Sequence, residues 1–221
     1  MTEPLETMRD FFNTRAEQYD LQQVKNIDGG SECYRAAAGF LPADTRDLLD
    51  LGCGTGLELK SVFSRFPNIK VTGIDLAEKM LEKLREKYAC RKISLINASY
   101  FSTDLGQNRF DAAISIMSLH HFEADAKARL YRKIYRSLRP GGVFLDGDYM
   151  IGSDDGAVEM KFLEERRKLQ RDFHLTEKFY HYDTPFTVKH ETSLLRSAGF
   201  FAVQQVWGIE NNIMLLAKKE V

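Results

Sequence analysis

The chain is poor in the features that mark several protein classes. It has three cysteines, Cys33, Cys53 and Cys90, with no C-x-x-C spacing, which argues against a disulfide framework or a cysteine-based zinc site. No metal is expected. There are five prolines and no repeat or low-complexity run that would divide the chain into separately folding parts. The longest apolar runs, such as Asp111 to Leu119, are far too short to span a bilayer. Charge of one sign is not in excess: the formal net charge is −1, so nothing draws the whole chain to nucleic acid or to an anionic membrane. The start, Met1-Thr2-Glu3-Pro4-Leu5-Glu6, carries acids where a signal peptide needs a basic and then an apolar region, and a cytoplasmic protein is expected. What remains, 221 residues with 43% hydrophobic and 29% charged, suits one sizeable soluble α/β domain.

The order of the apolar runs is more specific. Strands read at 46–51, 69–75, 92–97, 110–117 and 142–148, with helices at 56–65, 77–89 and 123–138 between most of them. Such alternation predicts a parallel sheet with right-handed crossovers. A helix at 8–20 and a second from Ser31 to Phe40 precede it. A charged helix over 154–173 follows, with Phe162, Leu163, Leu169 and Phe173 as its inner face, then an aromatic stretch from Phe179 to Phe186 and a helix at 188–198. Two final strands around Gly208 to Asn212 predict a β-hairpin. On the helix at 123–138, Leu130, Ile134 and Leu138 form the apolar stripe, and Lys127, Arg129, Arg132 and Lys133 are expected to face water.

One run carries chemistry. Leu48-Leu49-Asp50-Leu51 ends in Gly52-Cys53-Gly54-Thr55-Gly56 and a helical pattern begins at once. A strand, a glycine turn and a helix in that order let backbone N–H groups approach a ligand closely at a helix N-terminus. The next strand, Val71-Thr72-Gly73-Ile74, ends in Asp75, placed to accept both hydroxyls of a ribose. An adenosine-bearing cofactor is implied. The dinucleotide fingerprint G-x-G-x-x-G is not matched, because the spacing here is G-x-G-x-G. Cys53 reads as a space-filling residue of the loop and not as a reactive thiol.

At these residues the chain resembles the class I S-adenosylmethionine-dependent methyltransferases, most strongly over residues 45–150. Asp50 to Gly56 is similar to that family's first motif and Asp75-Leu76-Ala77-Glu78-Lys79-Met80 to its second. Phe110 to Ile114 with His120-His121-Phe122 resembles the fourth-strand motif, and Leu138-Arg139-Pro140-Gly141-Gly142 the turn before strand five. The resemblance implies a Rossmann-like, doubly wound α/β fold: a seven-stranded sheet, mostly parallel, with one antiparallel strand in the C-terminal hairpin. It implies one domain over 1–221, made of a helical cap (1–43), a cofactor-binding core (44–149), a helical lid (150–186) and the last helix with the hairpin (187–221).

It also implies roles. S-adenosyl-L-methionine would be bound, and S-adenosyl-L-homocysteine left as product. Gly52, Gly54 and Gly56, with Cys53, would pass close to the methionine moiety, and Asp50 would hold the loop or reach the α-ammonium through water. Asp75 would take the ribose, Leu76 and Met80 the adenine face. At the third strand's end the family usually has an acid that accepts from the adenine amino group, where this chain has Asn97-Ala98-Ser99; Asn97 offers a carbonyl acceptor. Tyr19 and Met117 complete the expected cofactor set, and Arg15 or Arg35 is a candidate for the cofactor's carboxylate.

For the acceptor, the strand C-termini are the place to look. His121 is the candidate general base, needed only if the acceptor loses a proton as it attacks. His120, Asp148, Tyr149, Tyr180 and Tyr182 are expected to line the acceptor pocket. The leading expectation is methyl transfer to a small-molecule oxygen, nitrogen or carbon, chiefly by proximity and orientation. A second is modification of a tRNA base, with Arg166, Arg167, Lys168 and Arg171 on phosphates, although Glu164, Glu165 and Asp172 interleave with them. A third is a non-catalytic, cofactor-binding regulatory module. Oligomeric state is not legible.

Overall fold

The computed structural model describes residues 5–26, 30–152, 156–173 and 179–221. The first four residues and the start of the helix expected at 154–173 lie outside that set. Seven strands form one sheet: β1 (Asp47–Leu51), β2 (Lys70–Asp75), β3 (Ile93–Asn97), β4 (Phe110–Ile116), β5 (Leu138–Tyr149), β6 (Ala202–Ile209) and β7 (Asn212–Lys218). Their order is β3-β2-β1-β4-β5-β7-β6. The first five run parallel, and β7 lies antiparallel between β5 and β6. The expected fold class is the observed one.

Helices cover both faces, as a parallel sheet requires. Successive strand residues point to opposite faces, and the core divides accordingly. Leu49, Ala113, Phe144 and Leu215 pack with Leu130, Tyr131 and Ile134 of α6 (Ala124–Ser137) and Leu195 of α8 (Val188–Ser197). Leu48, Ile114, Leu145 and Met214 pack on the other side. Their partners are α3 (Gly30–Ala36), α4 (Leu59–Arg65) and α5 (Glu78–Lys87). Strand order reverses between β1 and β4, the switch point at which such sheets bind ligands beyond their C-terminal ends.

Several local expectations change. The helix expected at 8–20 is two, α1 (Met8–Arg15) and α2 (Tyr19–Asn26). They are separated by a turn whose Ala16 packs against Ala77 and Met80 at the start of α5. Helix α4 begins at Leu59, because Gly56 has a φ of +75°, outside the helical region. Lys127 does not face water. It is buried on α6 and donates to Glu191 of α8 at 2.8 Å. Glu191 and Asp146 both accept from the Tyr131 hydroxyl, so the two buried acids share one phenol. Lys133 is half-buried and donates to the carbonyls of Tyr100, Phe101 and Thr103. On α7 (Gly156–Asp172) the apolar residues expected inside are only half-buried, whereas Glu159 and Arg166 are buried.

Candidate cofactor and acceptor site

The glycine loop after β1 turns on positive φ values of +72° at Gly52 and +46° at Gly54. A side chain at Gly52 would collide with Ser118, whose Oγ would stand 2.1 Å from the new Cβ. At Gly54 the nearest atom to such a Cβ would be 4.0 Å away, so it would project into open space. That space belongs to a cavity beside the loop. Tyr19, Gly52, Gly54, Asp75, Leu76, Met80, Ser99 and Met117, all expected at the cofactor, line it.

Asp75 is tied down from two sides. Its Oδ2 accepts from Gly54 N at 2.8 Å and its Oδ1 from Ala77 N at 2.8 Å. Burial nevertheless pushes its pKa up, outweighing those two amides and that of Leu76. A carboxylate has about four lone-pair sites, so two remain for the vicinal hydroxyls of a ribose. The pocket therefore fits S-adenosylmethionine: a backbone cradle that a Cβ would fill, and a fixed carboxylate with spare acceptor capacity.

Other expected cofactor residues lie off the cavity wall. Cys53 is buried with its sulfur packed against Gly73, and burial raises its thiol far above the reactive range. Gly56 makes room for Tyr88, Leu84 and Leu59. Asn97 is exposed and donates its side-chain amide to the carbonyls of Asp75 and Leu76; it braces the β2–α5 turn, while Ser99 reaches the cavity and Ala98 does not. Asp50 is buried beside Glu58. Burial and Glu58 push Asp50 well up, and burial pushes Glu58 up to about 7. Among the described residues, Asp50 Oδ2 and Glu58 Oε1 lack hydrogen-bond partners. Arg35 pairs with Glu32 on the surface and Arg15 with Glu6.

A second, open cavity of about 600 Å³ adjoins the first. Phe12, Tyr19, Met117 and His121 belong to the walls of both. Met117 holds a φ of +54°, a conformation rare outside glycine that recurs at functional sites. Its N–H donates to Gly147 O at 2.7 Å.

His120 and Tyr149 line the second cavity as expected. Asp148 stands behind them: its Oδ1 is 2.5 Å from His120 Nδ1 and its Oδ2 accepts from Leu119 N. Burial would lower the His120 pKa, but Asp148 wins and raises it, and His120 in turn holds Asp148 low despite burial. His121 is 2% exposed. Burial, with His120 beside it, brings its pKa down to about 4, so the imidazole is neutral near pH 7. Its Nδ1 lies 3.1 Å from Asp183 Oδ1 but is not aligned for a hydrogen bond. Burial alone would raise Asp183, and the facing imidazoles bring it down to about 2.

Tyr180 and Tyr182 do not line either cavity. Tyr180 forms an isolated β-bridge with Thr7, and the Tyr182 hydroxyl donates to Glu165. The residues that replace them, His181 and Asp183, sit one position further on in each case, in a non-helical segment whose alternation turns the tyrosines away. Phe122, the last residue of the fourth-strand motif, closes the first cavity with Met8, Phe12, Phe101 and Phe179; no motif marks those four, because any large apolar side chain serves.

The family model for the methyltransferase domain matches residues 48–142, the stretch that carries the glycine loop, Asp75 and the His120-His121 turn. Over that stretch the chain is similar to a methyltransferase domain. The chain is 23% identical over 186 residues to a carboxy-S-adenosyl-L-methionine synthase from Nautilia profundicola, covering 80% of this chain and 79% of the relative. In fold it resembles a Nostoc punctiforme protein described as an O-methyltransferase, with a TM-score of 0.73 at 18% identity over 99% of this chain. It also resembles human N-acetylserotonin methyltransferase in complex with S-adenosylmethionine, with a TM-score of 0.66 at 23% identity over 95% of this chain. The chain spans only 64% and 57% of the lengths of those two solved chains. Among the described residues, no helix is long and apolar enough to cross a membrane.

Proposed function

We propose that this chain transfers the methyl group of S-adenosylmethionine to a nucleophilic oxygen, nitrogen or carbon of a small molecule held in the second cavity. The observation that carries this reading is that the two cavities share Tyr19, Met117 and His121 as wall residues. The bound cofactor would supply an activated methyl on a sulfonium, which leaves the protein to align a nucleophile and exclude water. Gly52 and Gly54 admit the cofactor's methionine end, Asp75 takes its ribose, and Leu76 and Met80 flank its adenine.

Neutral His121, at the junction of the cavities, accepts the acceptor's proton where one must leave, and Asp183 at 3.1 Å stabilises the imidazolium that results. The helical segments before 43 and between 150 and 186 serve as cap and lid. Support for this comes from Met8, Phe12, Tyr19 and Phe179, which reach the first cavity from those segments. The tRNA reading loses its main side chain: Arg166 is buried, bound to Glu123, to the carbonyl of His121 and to Thr184.

Incubating the protein with isotopically labelled cofactor and a panel of phenolic, amine and carboxylic metabolites tests the reading. A methylated product and S-adenosylhomocysteine in equal amounts are expected. Cofactor binding without transfer to any acceptor would favour the regulatory-module reading. A mass change on the cofactor itself would favour the chemistry named in the Nautilia relative. His121→Gln should lower turnover by about 10²-fold or more with S-adenosylhomocysteine affinity changed less than about threefold; unchanged turnover removes the base assignment.

A further inference from the structure

We propose that His120, His121 and Asp183 form a binding site for one divalent transition-metal ion of the zinc class, on the wall of the acceptor cavity. The ligand atoms of these three side chains all lie within 4.8 Å of one another. Asp183 Oδ1 is 3.1 Å from His121 Nδ1 and 3.6 Å from His120 Nε2. Two donors on a tetrahedral ion with metal–ligand bonds of about 2.1 Å stand about 3.4 Å apart. Those two pairs are within tenths of an ångström of that spacing, while the two imidazole nitrogens, up to 4.8 Å apart, must close by about 1.4 Å through side-chain rotation.

Two independent features make this more than a chance cluster. First, His120 is already oriented as a metal-ligating histidine usually is. Its Nδ1 is held by Asp148 at 2.5 Å, and Asp148 is itself fixed by the Leu119 amide at 2.8 Å. A carboxylate on the far nitrogen sets the tautomer and directs the Nε2 lone pair outward, here toward Asp183. Second, the buried Nδ1 of His121 has no aligned hydrogen-bond partner among the described residues. Such an orphan costs roughly 1–3 kcal/mol unless something absent from the protein itself satisfies it. Asp183 is 46% exposed on its side chain, so the ion can enter from the open cavity.

Two imidazoles and one carboxylate without thiolate suit Zn²⁺, Fe²⁺, Co²⁺ or Mn²⁺ better than the all-oxygen preference of Mg²⁺ or Ca²⁺. Three protein ligands leave at least one position open to the acceptor cavity. Resting on the methyl-transfer reading, that position selects an acceptor with an oxygen or nitrogen lone pair over a carbon nucleophile. In the metal-bound protein, the ion takes over from the free His121 imidazole the task of making the acceptor's proton easier to lose.

The test uses tag-free full-length protein dialysed against a chelator. Zn²⁺ is titrated in competition with a chromogenic chelator, and Co²⁺ is followed by its visible absorption. One ion per chain with a micromolar or tighter dissociation constant is expected, with Co²⁺ bands of four- or five-coordinate form. Asp183→Ala, at a half-exposed position, should fold and bind at least tenfold more weakly. Asp148→Asn should weaken binding by about 10–100-fold through His120 alone. If Asp148→Asn does not fold, the affinity of Asp183→Ala decides alone. No stoichiometric binding below millimolar Zn²⁺, or equal affinity in wild type and Asp183→Ala, overturns the site. Calorimetric titration of the metal-free protein with S-adenosylhomocysteine tests the cofactor reading separately, so the two can fail independently.

Discussion

Replacing Asp75 with alanine tests the proposed ribose contact. Its two oxygens each already accept one amide, from Gly54 and Ala77, and each keeps capacity for one hydroxyl. A hydrogen bond to a charged acceptor contributes about 1.5–3 kcal/mol. Losing two therefore weakens cofactor binding by about 3–6 kcal/mol, or roughly 10²- to 10⁴-fold. Asp75→Asn is a sharper probe than its conservative look suggests. Its amide group must turn its two donors toward either Gly54 N–H or Ala77 N–H, so one side of the loop loses its anchor and faces a like group. The asparagine variant should therefore fall much closer to alanine than to wild type. Isothermal titration with S-adenosylhomocysteine measures both, with thermal unfolding of the unliganded proteins as the control for folding. If Asp75→Ala bound S-adenosylhomocysteine within threefold of wild type at an unchanged melting temperature, the ribose assignment would be wrong.

Lys127→Met leaves Glu191 buried without its cation and should cost about 3–5 kcal/mol in urea denaturation. Adding Glu191→Gln should recover most of that loss; a single variant as stable as wild type would show the pair to be dispensable. For Glu58, the folded-state pKa of about 7 lies above the ordinary 4.5, so the folded state holds the proton more tightly. That contribution is complete below about pH 4.5 and is lost as pH rises through 7. Because Glu58 titrates together with Asp50, Glu58→Gln should flatten the decline of melting temperature across this window, with the gap to wild type widest at pH 8. Parallel curves for the two proteins would contradict it. Asn97→Ala should loosen the β2–α5 turn without abolishing cofactor binding, since Asn97 braces that turn from outside the cavity; complete loss of S-adenosylhomocysteine binding would restore it to direct contact.

The sheet and its ligand edge are readable in the sequence because they rest on local rules. Apolar alternation places Leu48 and Leu49 on opposite faces, and the Gly52–Gly54 turn needs positive φ whatever surrounds it. The acidic end of β2 follows from its register with β1. Partnerships between distant segments are not readable in this way. Lys127 looks like a surface lysine of a charged helix until Glu191, sixty-four residues on, is folded against it. Arg166 looks like one of a basic run until the loop carrying His121 is laid beneath it. Cysteine spacing disposes of cysteine metal sites, but nothing local pairs Asp183 with His120 and His121. Tyr180 and Tyr182 look like pocket residues because phenols suit a partly wet pocket. An extended chain presents alternate residues to one side, and the side that faces the cavity is that of His181 and Asp183.

Arg166 joins segments that otherwise have no reason to move together. Its guanidinium holds the main chain of His121 at 2.7 Å and the Thr184 hydroxyl at 2.8 Å. The amide of Thr184 in turn donates to the carbonyl of His120 at 2.6 Å. Arg166 of α7 thus fixes the main chain that carries both imidazoles, while Glu159 ties the same helix to Thr187 and His190 at the start of α8. A change in how α7 is seated would be felt at once in the backbone of the His120-His121 turn and in α8.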